Sequence, residues 1–243
     1  MASTSEIGHA KNVANFQDLI EFVTAYGATY NPSKNSLKLP QLIALKASAD
    51  ATLADVITKN TNYNNKVNER ITAFSGLKSL STRLVNALQT TDATTETIGN
   101  AKTFNRKMQG KKASSSQTPT DPNTPAPNTI STSQQSYTQQ IQHLTGLISV
   151  LESEPSYTPN ETDLQIATLQ AKQNDLTTKN NAVATAYTNV SNSRISRNTT
   201  LYSTEGSIFD VASEVKKYIK SIYGATSPEF AQVKGIEFKK PKA

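Results

Sequence analysis

The chain has 243 residues, 35% hydrophobic and 18% charged, and its 25 Lys and Arg against 19 Asp and Glu leave a net charge of +6. It has no cysteine, which excludes structural disulfides, thiolate nucleophiles and Cys-ligated zinc. Polarity rests on Ser, Thr, Asn and Gln rather than on charge, so the surface is soluble without a strong field.

The opening, MASTSEIGHAKNVANF, has no basic region followed by an apolar one, so no secretory signal is expected. No apolar run approaches the roughly 20 residues that a membrane helix needs. The expected location is the cytoplasm, with signal-independent export as the alternative. His9 falls in a stretch expected to fray. A first helix then follows from Val13, Phe16, Leu19, Ile20 and Val23, whose spacing puts one apolar stripe on a helix.

YNPSKNSLKLP, from Tyr30, reads as a corner. Pro32 fixes the turn, Ser33 is placed to cap the next helix, and Tyr30 packs over the junction. Pro40 would kink a helix that begins at Ser33, whereas a start near Ser36 puts it in the first turn. A long helix is predicted next, with Leu42, Leu45, Ala49, Leu53, Val56, Tyr63, Val67, Ile71 and Phe74 on its apolar face. About 35 residues at 1.5 Å each would span roughly 50 Å. A turn at FSG, 74–76, leads to a third helix from about Leu77.

Residues 111–133, KKASSSQTPTDPNTPAPNTISTS, offer almost nothing to bury and are expected to form a flexible linker. Beyond them the chain repeats itself. Ile141, Leu144, Leu147, Ile148 and Leu151 match the first helix, and YTPNETDLQI, from Tyr157, matches the corner at an offset of 127. Asn160 takes the place of Ser33, and Asp163 adds a carboxylate that a helix N-terminus favours. After YSTEG, 202–206, the third helix recurs from Ile208: Leu77, Leu80, Leu84 and Leu88 meet Ile208, Val211, Val215 and Ile219.

The fold expected from this duplication is all-α: an elongated helical bundle of two tandem three-helix units, related by a pseudo-two-fold axis, with long central helices. The organisation read from the sequence is a first repeat over 1–110, the linker over 111–133, and a second repeat over 134–243.

Each repeat ends in a basic segment. Lys102, Arg106, Lys107, Lys111 and Lys112 close the first; Lys234, Lys239, Lys240 and Lys242 close the second, and Lys216, Lys217 and Lys220 would extend that patch. These are the candidate anion-binding residues, since clustered cations attract phosphate. Helix ends that compensate the backbone dipole are the simpler account. No phosphate loop, dinucleotide fingerprint, nucleophile elbow or calcium loop occurs. His9 and His143, the two histidines, lack partners at ligand spacing. No catalytic residue, metal site or cofactor is therefore expected.

The phrases GHAKNVANFQDLIEF, YNPS, RLVNAL, RKMQGKK and VKKYIKSIYGATSPEF resemble an uncharacterised Bacteroidota family of duplicated, helical, cysteine-free proteins. That resemblance implies a bacterial origin and a shared fold, and no activity. The function expected is non-enzymatic binding or assembly, with protein, either a second copy or another chain, as partner. Nucleic-acid or anionic-surface binding through 102–112 and 234–242 is the alternative. A pore-forming or delivered helical effector is the third reading.

Overall fold

The computed structural model describes residues 8–110 and 135–240. The linker expected at 111–133 lies outside them, with Lys111, Lys112 and Lys242. All regular structure among the described residues is helical. The α-helices are α1 (His9–Ala25), α2 (Leu39–Phe74), α3 (Leu77–Leu88), α4 (Thr95–Gln109), α5 (Tyr137–Glu152), α6 (Ile166–Tyr202), α7 (Ile208–Tyr223) and α8 (Pro228–Lys234). None is long and apolar enough to cross a membrane.

Two expectations need correction. Among the described residues each half carries a fourth helix, α4 or α8, where three were expected. Ser-Pro-Glu at 227–229 starts α8: Ser227 Oγ accepts the Phe230 N–H at 3.1 Å and Pro228 stands in the first turn, where its missing N–H costs nothing. Thr94 caps α4 in the same way through the Thr97 N–H. The other correction concerns Ser33 and Asn160, which do not cap the long helices. Short 3-10 turns at Asn35–Leu37 and Thr162–Leu164 intervene. Because α2 begins only at Leu39, Pro40 falls in its first turn and opposes nothing.

The corners themselves are built alike. The Tyr30 hydroxyl donates to the Leu37 carbonyl at 2.8 Å, and the Tyr157 hydroxyl to the Leu164 carbonyl at 3.0 Å. Both rings are buried. The repeated Tyr-x-Pro phrase therefore encodes a phenol that satisfies the last carbonyl of a tight turn, a group that would otherwise be buried unpaired. Burial raises both phenols above their ordinary value, Tyr157 to about 12.

The chain divides into two compact units, residues 1–63 with 186–243 and residues 64–185. Each draws on both sequence repeats, because α2 and α6 contribute to both. The first unit packs α1 against α7 and α8. Its core holds Val13, Phe16, Leu19, Ile20 and Val23 with Ile208, Val211, Val215 and Ile219, each side chain contributing about 1.5–3 kcal/mol of transfer free energy. The second unit packs α5 against α3 and α4, with Leu144, Leu147, Ile148 and Leu151 on Leu84, Leu88, Ala101 and Met108.

Candidate binding surfaces

The two basic segments belong to different units and differ in their local contacts. Lys102, Arg106 and Lys107 lie exposed on α4 in the second unit. Arg106 and Lys107 occupy its last turn, where the helix dipole favours cations. Gly110 closes that helix at φ 74, with its N–H turned back to the Lys107 carbonyl at 3.0 Å. Lys107 also sits 5.6 Å from the Phe104 ring centre. None of the three enters the ion pairs found among the described residues.

Lys234, Lys239 and Lys240 belong to the first unit. Lys234 ends α8. After Gly235 the chain leaves the helix and runs as a strap over α1 and α7. The Lys239 side chain pairs with Glu237 at 2.7 Å, and Lys240 stands 5.0 Å from the Phe209 ring. Ile236 and Phe238 pack against the core, with Phe238 edge-on to Phe16.

Three side chains hold the strap's main chain. Asn12 Nδ2 donates to the Lys239 carbonyl at 2.7 Å while Asn12 Oδ1 accepts the Lys239 N–H at 3.0 Å. Asn15 Nδ2 donates to the Glu237 carbonyl at 2.6 Å. Lys216 Nζ donates to the Ile236 carbonyl from the α7 side. Lys216 therefore supports the strap rather than extending an exposed patch as expected, and burial pushes its ammonium below the ordinary value against the pull of Glu237.

The second hydrogen of the Asn12 amide reaches the Tyr202 hydroxyl at 3.0 Å, and that hydroxyl lies 2.8 Å from His9 Nδ1. Since Asn12 can only donate there, Tyr202 is placed to donate onward to His9. His9 is thus part of a polar chain, not a frayed end. Burial, and then Arg197, push its imidazole below its ordinary value. Beside it, His9, Lys11 and Arg197 rim a hollow of about 400 Å³ whose apolar wall is Leu53, Val56 and Ile57. Sequence reasoning missed this site because Arg197 sits among polar residues of α6 with no local signal.

Large apolar side chains are also exposed unevenly. Of six among the described residues, Ile43, Ile57, Tyr187, Ile195 and Ile222 lie in the first unit and only Ile71 in the second. Ile57 is 68% exposed, and Tyr187 and Ile195 are each 61% exposed. No cluster of acidic or histidine side chains able to hold a metal occurs among the described residues. The chain matches no protein-family model, no curated protein and no solved structure.

Proposed function

We propose that the protein is a non-enzymatic binding or assembly protein and that its first unit carries the contact surface. One observation supports this reading most: the concentration of exposed Ile and Tyr side chains on α2 and α6 of that unit. Apolar groups left in water mark contact surfaces when they gather in one region. Ile57 also walls the hollow rimmed by His9, Lys11 and Arg197, so a protein segment carrying both apolar and acidic side chains is the partner that fits. The affiliation with the Bacteroidota family is part of the same proposal and adds no activity to it.

The test is a photo-crosslinking residue at position 57 or 195 in the full chain, expressed in native cells. A defined partner captured at both positions, and lost with Arg197→Glu, is the expected result. Capture that is equally strong from position 68 in the second unit would contradict it.

The anion-binding alternative retains one observation in its favour: Lys102, Arg106 and Lys107 are exposed and enter no ion pair among the described residues. Titration with labelled duplex and single-stranded DNA at low and physiological salt decides it. Binding that persists at physiological salt, and loses salt dependence when these three are neutralised, would replace the first reading.

A further inference from the structure

The contacts of residues 236–240 alternate as those of a β-strand do. The carbonyls of Glu237 and Lys239, and the Lys239 N–H, turn toward α1 and its two asparagines. The Ile236 carbonyl, one residue before Glu237, turns the other way, toward Lys216 on α7. Ile236, Phe238 and Lys240 place their side chains on the core, on Phe16 and on Phe209. The groove between α1 and α7 thus reads an extended main chain through side-chain amides and accepts alternate side chains, as peptide-binding sites do.

The amides that do this are costly. Asn12 and Asn15 are 3% and 9% exposed, on the face of α1 that carries the core. A buried amide is tolerated only where its hydrogen bonds are made, and here an extended chain makes them. The corresponding residues of α5 are Gln140 and His143. The asparagine pair is therefore a property of this groove and not of the repeat.

We infer that the α1–α7 groove is a binding site for an extended peptide, and that its exchange partner is the 236–240 segment of a second copy of this chain. The resident strap meets the condition for exchange. Asn12, Asn15 and Lys216 grip its main chain, Ile236 and Phe238 are only partly buried, and Gly235 separates it from α8. A copy's segment offers the same Ile-x-Phe-Lys-Lys pattern and makes the same bonds, so exchange loses no contact. Such swapping is a low-cost route to self-association.

The experiment uses the full chain and a fluorescent peptide of residues 234–240. Phe238→Ala weakens the resident strap through its ring. Lys239→Pro removes the N–H that Asn12 accepts and leaves the core side chains untouched, which covers the case in which Phe238→Ala fails to fold. Peptide binding followed by anisotropy should be at least about tenfold tighter to either variant than to the wild type, and should be lost when Asn12→Ala and Asn15→Ala are added. Sedimentation of the wild type should show concentration-dependent self-association that the peptide suppresses. No peptide binding to a folded Lys239→Pro protein overturns the inference, and so does peptide binding without any self-association. Neither readout involves position 57 or 195, so the proposed function stands or falls separately.

Discussion

The two units solve one packing problem in different ways. In the second, α4 continues as a helix to Gln109 and lies along α5. In the first, α8 stops at Lys234 and the chain crosses α1 as an extended strap. The first helices explain the difference. A Cβ on Gly146 of α5 would lie 2.2 Å from the Phe104 ring, so only a glycine there admits the ring of the approaching helix. The matching residue of α1 is Asp18, which opens no such notch; α1 instead offers Asn12 and Asn15. With Lys102 set on Lys234, Thr103 meets Gly235, and glycine is a poor helix interior residue by about 1 kcal/mol. The two halves of the sequence thus keep similar corners and core positions and still differ in what finishes each unit. The corner ion pairs also diverge: Lys34 pairs with Glu214 of α7 in one unit, and Asp163 with Arg83 of α3 in the other. Both pairs are exposed and contribute little.

The cores should respond alike. Leu88→Ala and Ile219→Ala remove matched, fully buried side chains, and each should cost about 2–5 kcal/mol in denaturant unfolding. Among the described residues, hydrogen exchange should accelerate within the second unit for the first and within the first unit for the second. A large effect from one and almost none from the other would break the likeness of the two cores.

Gly146→Ala sharpens the contrast. It should destabilise by about 1–3 kcal/mol through overpacking against Phe104, whereas Asp18→Ala should stay within about 0.5 kcal/mol. In a Phe104→Ala background the sign should reverse, because alanine then gains about 1 kcal/mol in helix propensity over glycine. Additive behaviour would show that Phe104 is not what Gly146 accommodates.

Much of this was legible in the sequence. The apolar stripes of α1 and α5, the turns at 74–76 and 202–206, and the starts of α3 and α7 followed from periodicity and turn residues, which are local signals. Helix α8 carried a signal too, in Ser227-Pro228-Glu229, but its short apolar content hid it among the basic residues. Nothing local revealed the strap. Its bonds join Asn12 to Lys239 across nearly the whole chain, and Asn12 reads in sequence as an ordinary polar residue beside an apolar stripe. The hollow at Arg197 was invisible for the same reason.

The smallest expected effect lies in the titration of His9. Its folded pKa is lowered by burial and by Arg197, so the unfolded chain takes up a proton that the folded chain resists. The sign follows: the contribution is present above about pH 6.5, the ordinary histidine value, and is lost as pH falls through the folded pKa. NMR titration of the His9 ring should give a midpoint below that of a free histidine. Arg197→Ala should move the midpoint upward, and a midpoint at or above the free value would remove His9 from the Asn12–Tyr202 chain.

The contrast between strap and helix is tested most directly by backbone NMR of the full chain, with amide exchange recorded for the wild type and for Asn12→Ala. Residues 103–109 should show helical shifts and 236–240 extended ones. The Lys239 amide should be protected in the wild type and exchange at least about tenfold faster in the variant, while protection in α4 is unchanged. Helical shifts through 236–240, or a Lys239 amide that is unprotected and indifferent to Asn12, would contradict the account.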